Sequence, residues 1–325
     1  MKKMIYIYQY NALINGHSIF DRRLCSALEK LYEKNFVSIQ YNTQTNNFTD
    51  TTKNIIDDGN TIVVLSHFNT FKICGRFKKN KIVFLNHDLP YYAYLQQKNF
   101  KGLIKAGYSW IYIHYYWKFA SFIFFISKVE LKKSRVSIEK SAYIKVGTKL
   151  TNNLVNFTSL LPVALFTGSY KWSLKRRSLV NVFNERYNGC LELAAINIDD
   201  TFRKIISKLD VNIVYYDELP YIEAIKLGVI TDNFLSGFKL KALELIHSGC
   251  CLVSFSNISV EFDDIIYAGL FIRNIKKLEQ LDDIYNELLT QPDVLTKFKL
   301  FYKDVCQKFN WELTALEIKN TLSKI

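Results

Sequence analysis

The sequence is poor in residues that break or punctuate a chain. Four prolines and twelve glycines in 325 residues exclude a collagen-like or low-complexity polypeptide, and 49% hydrophobic residues exclude a disordered one. There is no C-x-x-C pair and no Cys/His cluster. Cys25, Cys74, Cys190, Cys250, Cys251 and Cys306 are scattered, which argues against a zinc site or disulfide framework and for a reducing compartment. No D-x-D triplet occurs, and the acid pairs Asp57-Asp58, Asp199-Asp200, Asp263-Asp264 and Asp282-Asp283 are adjacent, a spacing of loops and helix starts. No metal and no cofactor is expected. The opening "MKKMIYIYQYN" turns polar after too few apolar residues for a signal peptide, so a cytoplasmic location is expected.

Acids are scarce relative to bases, 30 against 43, for a formal net charge of +13. The excess is concentrated: from Arg76 to Lys149 there are fifteen Lys and Arg against Asp88, Glu130 and Glu139. The same quarter holds "KGLIKAGYSWIYIHYYWKFASFIFFISK", in which His114 and Lys118 interrupt the apolar run, so a buried helix and strand are expected there instead of a membrane span. Trp110, Tyr112, Tyr115, Tyr116 and Trp117, beside Lys98, Lys101, Lys105 and Lys118, suit either a core or an anionic lipid surface. Zinc-finger spacing, an RNP-like string and an arginine-rich arm are all missing, so nucleic acid is not the expected partner. The basic region 76–149 instead predicts peripheral association with the inner face of the cytoplasmic membrane.

Short apolar runs alternate with helical patterns. "MIYIYQY", "FVSIQY", "TIVVLSHF", "KIVFLNHD" and "SFIFFIS" read as strands, and "DRRLCSALEKLYEKN" as an amphipathic helix. Continuous β-branched and aromatic runs separated by helices indicate a parallel sheet covered on both faces. After the polar stretch "KVGTKLTNNLVNFTS" the pattern restarts with "VALFTGS", "GCLELAAIN", "VNIVYYD", "GVITDN" and "CCLVSFS". Two α/β domains of Rossmann-like, doubly wound type are expected, 1–155 and 156–305, facing across a cleft, with 306–325 packing back on the first.

Within the second half, "GFKLKALELIHSGCCLVSF" places a helix start at the end of a strand, followed by a glycine stop and another strand. A helix N-terminus so placed can hold an anionic group such as a diphosphate. Glu244 on that helix is either a solvated face residue or an acceptor for both hydroxyls of a ribose.

These elements, in this order, resemble the donor-site region of GT-B glycosyltransferases, in particular the large retaining group that assembles polysaccharides and lipopolysaccharides. "VALFTGSYKWSLKRR" resembles the strand and loop that open the C-terminal domain of that group, "NGHSIFDRRLCSALEKL" the loop and helix after its first strand, and "FNWELTALEIKNTL" its terminal helix. The resemblance implies transfer of a sugar from a nucleotide-diphosphate sugar to a glycan acceptor, expected to be lipid-linked. It matches Glu244 to the ribose ligand and Lys175, with Lys171 and Arg176, to the phosphate ligands. It adds Gly168, Ser169, Ser236, Gly237, Phe238, Lys239 and Leu240 to the donor site. Ser236 stands where many members carry a glutamate toward the transferred sugar, and Ser169 where many carry a phosphate-binding arginine. Those departures leave open the sugar and the stereochemical outcome, and with them a sugar-nucleotide epimerase on the same architecture or a catalytically silent binding protein.

The acceptor and any catalytic base belong to the N-terminal loops. His87 and Asp88 in "LNHDLP" and His17 in "INGHS" are the candidates, since residues at the carboxyl ends of parallel strands border a ligand crevice. His67 in "LSHFN" is a weaker one and His114 is expected to be structural.

Overall fold

The computed structural model describes residues 2–9, 16–48, 59–97, 99–148, 156–170, 173–196, 199–209, 211–214, 223–232 and 237–325. The chain divides into two compact units: Met1–Lys149 with Ser236–Phe238 and Lys308–Ile325, and Leu150–Leu235 with Lys239–Gln307.

The first unit is built from β1 (Met4–Gln9), α1 (Gly16–Tyr32), β2 (Phe36–Asn42), β3 (Asn47–Phe48), β4 (Ile62–Ser66), β5 (Lys81–Asn86), α2 (Pro90–Leu95), α3 (Phe100–Trp117), β6 (Phe122–Phe125), α4 (Lys128–Ser134) and β7 (Ser141–Tyr143). Among the described residues its strands form one sheet of order β3-β2-β1-β4-β5-β6-β7. All neighbours are parallel except the β2–β3 pair, which is antiparallel. That two-residue edge strand, and the three-residue β7 at the other edge, lie below the length at which an alternating pattern is legible in sequence. Every residue of β4 and β6 is buried, as expected of strands covered on both faces. Phe71 stacks on Phe84 at 4.0 Å in the core between sheet and helices. On α1, Phe20, Leu24, Ala27 and Leu28 supply the buried stripe at helical spacing.

The second unit comprises β8 (Ser159–Ser169), α5 (Ser173–Phe183), β9 (Cys190–Ile196), α6 (Asp200–Ile206), β10 (Asn212–Val214), β11 (Ala224–Ile230), α7 (Leu240–His247), β12 (Cys250–Ser254), α8 (Ala268–Phe271), β13 (Ile272–Asn274), α9 (Gln280–Thr290) and α10 (Val294–Lys308). Its described strands are all parallel, in the order β10-β9-β8-β11-β12-β13. Both sheets thus follow the 3-2-1-4-5-6 progression of dinucleotide-binding folds. β8 begins at Ser159, inside the stretch read as linker. Pro162 lacks a ladder N–H, but the strand continues past it through a register shift opposite Ile225 and Leu227. Two residues of the helical C-terminal stretch set its breaks: Pro292 follows α9, and Asn310 caps the last helix, α11 (Trp311–Leu322), by accepting from the Glu312 N–H at 2.8 Å. α11 belongs to the first unit and packs along α1, where Trp311 meets Phe20 edge-on at 5.2 Å.

Candidate active site

In the second unit, lysines gather where helix dipoles disfavour them. Lys239 occupies the N-cap position of α7 without a side-chain cap, Lys241 lies in its first turn, and Lys175 lies in the first turn of α5. Cations at a helix N-terminus face the positive end of the macrodipole. They are met by Asp232, just past the end of β11 and buried, whose carboxylate lies 3.2 Å from Lys241 Nζ and 3.6 Å from Lys239 Nζ. The three lysines converge on this one carboxylate, and their positive charge at two helix N-termini would attract an anion.

The electrostatics follow from this crowding. Burial opposes ionisation of Asp232, but Lys241, Lys239 and Lys175 together outweigh it and hold the carboxyl well below the usual range. Lys241 is lowered to about 8, chiefly by burial, with Lys175 and Lys239 adding to the fall and Asp232 opposing it. The Lys241 stem passes 3.9 Å from where a Cβ would stand on Gly168, at the end of β8. Glu244, one turn along α7 from Lys241, is exposed.

The structure separates Lys175 from Arg176. The Arg176 guanidinium donates to the Tyr170 carbonyl and to Asp199, the N-cap of α6, and lies 5.4 Å over the Phe202 ring. It ties α5 to α6, and Lys175 is the one that interacts with Asp232. Ser169 ends β8, and Leu240 opens α7. Lys171 and Ser236 lie outside the described residues.

In the first unit, His87 follows β5 and is buried in a polar knot. Asp21 Oδ1, on α1, accepts from Tyr6 Oη at 2.7 Å and from Ser66 Oγ at 2.5 Å, and Ser66 Oγ lies 2.7 Å from His87 Nε2. The one Ser66 hydroxyl hydrogen goes to Asp21, so His87 Nε2 is the donor in the remaining contact. A neutral His87 therefore carries its lone pair on Nδ1. Burial and the Asp21 charge both keep Tyr6 protonated by raising its phenol well above the ordinary value. His67, after β4, holds a left-handed backbone (φ 71°), a strained conformation for a residue with a Cβ, and accepts from the Asn69 N–H.

Gly237 is drawn to the same place. Its φ is +65°, and a Cβ there would stand 2.4 Å from the His87 carbonyl oxygen and 3.1 Å from Asp88 Cβ, so only glycine fits. The buried Glu130 fastens the junction: its Oε1 accepts from the Leu89 N–H at 2.8 Å and the Gly237 N–H at 2.7 Å. Phe238 is buried with its ring 5.8 Å from Phe309. His17 lies on α1, its side chain outside the described residues. His114 Nδ1 is 2.8 Å from the Trp110 carbonyl, one turn back on α3. Sequence reasoning missed Asp232, Lys241 and Glu130. The signals were present as the K-x-K spacing around Leu240 and the S-x-x-E capping box at Ser127, whose hydroxyl accepts from the Glu130 N–H.

Solved structures share this architecture along its whole length. The sucrose-phosphate synthase of Thermosynechococcus elongatus matches with a TM-score of 0.66 at 14% identity, covering 99% of this chain and 99% of that one. The lipopolysaccharide outer core galactosyltransferase WaaB matches at 0.63 and 13%, covering 99% and 100%. Anabaena HepE in complex with UDP-glucose matches at 0.60 and 12%, with the same coverage. The chain has the GT-B fold. No protein-family model matches it, and no curated protein does. In this GT-B chain both polar clusters sit at the carboxyl ends of strands, where open α/β sheets bind ligands. Among the described residues no group of three His, Cys, Asp or Glu is placed to hold a metal ion, and no helix is long and apolar enough to cross a membrane.

The Lys241 value predicts a pH dependence of anion binding. Below about 8 the ammonium is charged and strengthens the cluster; as the pH rises through that value the charge is lost and affinity for a nucleoside diphosphate should fall. The folding term has the opposite sign. Between about 8 and the ordinary lysine value the folded chain binds fewer protons at Lys241 than the unfolded chain, so this group alone makes stability rise with pH there. Calorimetric titration with UDP in buffers of different ionisation enthalpy should show proton uptake on binding near pH 8. No uptake would remove Lys241 from the anion site.

Proposed function

We propose that the protein is a glycosyltransferase that moves a sugar from a nucleotide-diphosphate sugar to a lipid-linked glycan acceptor, working peripherally at the inner face of the cytoplasmic membrane in cell-surface glycan synthesis. The observation that carries this reading is the gathering of Lys239 and Lys241 at the N-terminus of α7, and of Lys175 in the first turn of α5, around the buried Asp232. Similarity to a galactosyltransferase and to a protein that binds UDP-glucose supports the choice among anionic ligands.

In this mechanism the bond from the anomeric carbon to the diphosphate oxygen breaks, and a bond from that carbon to the acceptor hydroxyl oxygen forms. Negative charge grows on the departing diphosphate, where the three ammonium groups and the N-terminus of α7 stabilise it without rearranging. Glu244 accepts from the ribose hydroxyls. The first unit takes the acceptor, and His87 with Asp88 receives the acceptor proton, the His87 ring being oriented by Ser66 and Asp21. The reaction so written needs no metal.

Screening nucleoside-diphosphate sugars for a rise in melting temperature identifies the donor, because a ligand that binds only the folded chain stabilises it by mass action. Release of nucleoside diphosphate on adding a glycolipid acceptor then tests transfer. A chain that binds no nucleotide sugar is not a glycosyltransferase. Glu244→Ala should weaken binding of donor and free UDP alike by about 1.5–3 kcal/mol, as expected for charge-assisted hydrogen bonds. Equal UDP affinity in a folded variant removes the ribose role.

A further inference from the structure

Helix α3 carries apolar side chains on both faces. Gly102, Ala106, Ile113 and Trp117 are buried against the unit. At 100° per residue the opposite face is formed by Phe100, Ile104, Tyr108, Ile111 and Tyr115, where a surface helix ordinarily places charge. Phe100 is 76% exposed, Tyr108 71% and Ile111 64%. The aromatics singled out from the sequence divide differently: Trp117 is buried, and Tyr112 and Tyr116 are half-buried.

The face is presented rigidly. A Cβ on Gly102 would stand 2.6 Å from the Tyr94 carbonyl oxygen, so α2 and α3 meet backbone to backbone. The Asn99 side chain caps the helix by accepting from the Gly102 N–H at 2.7 Å. Exposed Lys101 and Lys105 run along one edge of the apolar stripe, Lys118 closes its far end, and α3 has no acidic residue.

We propose that this outward face of α3 docks on an anionic lipid bilayer, lying in the membrane plane with Phe100, Ile104, Tyr108, Ile111 and Tyr115 in the headgroup and upper acyl region. Lys101, Lys105 and Lys118 then stand at the level of the lipid phosphates. The charge selects this occupant. A second copy of the chain would bring one lysine edge against another with no carboxylate on the helix to pair them, whereas acidic headgroups complement all three. Tyrosine in the stripe has the apolar body and polar tip suited to the bilayer interface. The proposal deepens the lipid-linked part of the function given above and rests on it only for its purpose.

The test is co-sedimentation of the full chain with vesicles of phosphatidylcholine containing phosphatidylglycerol, and with phosphatidylcholine alone. The wild-type chain should bind the anionic vesicles and be only partly released by salt, because the apolar face is inserted. Ile104→Glu with Ile111→Glu should lower the partition coefficient at least about tenfold, from the lost burial of two isoleucines, with UDP affinity unchanged. Lys101→Gln with Lys105→Gln should weaken binding less and flatten its salt dependence. Undiminished binding by the double glutamate variant overturns the proposal. So does a wild-type dimer in vesicle-free solution that the same variant dissociates. Sugar-nucleotide turnover is measured without vesicles, so that docking and transfer can each fail alone.

Discussion

Asp232→Ala should destabilise the second unit by about 3–5 kcal/mol, the usual cost of removing one partner of a buried ion pair. The carboxylate is 1% exposed, while Lys239 and Lys241 keep only 10% and 12% of their side-chain surface. Without Asp232, three ammonium groups crowd two helix N-termini and neither Lys239 nor Lys241 can turn fully to water. Asp232→Asn keeps the shape and removes the charge, so it should lose most of the same stability. Because a bound anion replaces the missing charge, UDP should restore more stability to either variant than it adds to the wild-type chain. Urea titrations with and without UDP measure both effects. A variant with an unchanged midpoint would falsify the idea that this carboxylate holds the cluster together.

Lys241→Met should reduce turnover by about 10²–10³-fold, the range for deleting one preorganised group that meets charge developing in a transition state. Methionine keeps most of the buried stem beside Gly168, and Lys239 remains to pair Asp232, so the fold should survive. The loss should appear mainly in kcat, since the diphosphate gains charge as it leaves. The same variant should also lose the step in UDP affinity near pH 8. Normal kcat in a folded Lys241→Met chain would assign the leaving-group role to other residues.

Much of the architecture is legible in the sequence because the strands that build the two sheets are unbroken runs of β-branched and aromatic residues, and their order fixes the topology. The start of α7 is legible for a similar reason, since helix and strand follow one another within nineteen residues. Asp232 is not. It reads as the polar end of "GVITDN", and its partners come seven and nine residues later, across a loop whose course the pattern does not specify. Nor is the approach of Gly237 to the His87 carbonyl, which joins segments 150 residues apart through a clash only glycine avoids. Which side of α3 is exposed is hidden by its composition. A helix apolar all round has no hydrophobic direction, so its periodicity cannot say which side is covered.

The Glu130 carboxylate links this architecture to the order of synthesis. One of the two N–H groups on its oxygen, that of Leu89, is made before it; the other, Gly237, is made more than a hundred residues later. The same unit waits longer still for Trp311, which covers Phe20. While the ribosome adds the intervening residues, the first unit has a carboxylate with half its backbone donors and an α1 flank without its helix. The second unit, drawn from one nearly continuous stretch, has all its described strands by residue 274. The part of the chain that emerges first is therefore the part that is finished last. A nascent chain halted between 149 and 237 has every described strand of the first sheet but presents to chaperones an α1 flank that α11 has yet to cover.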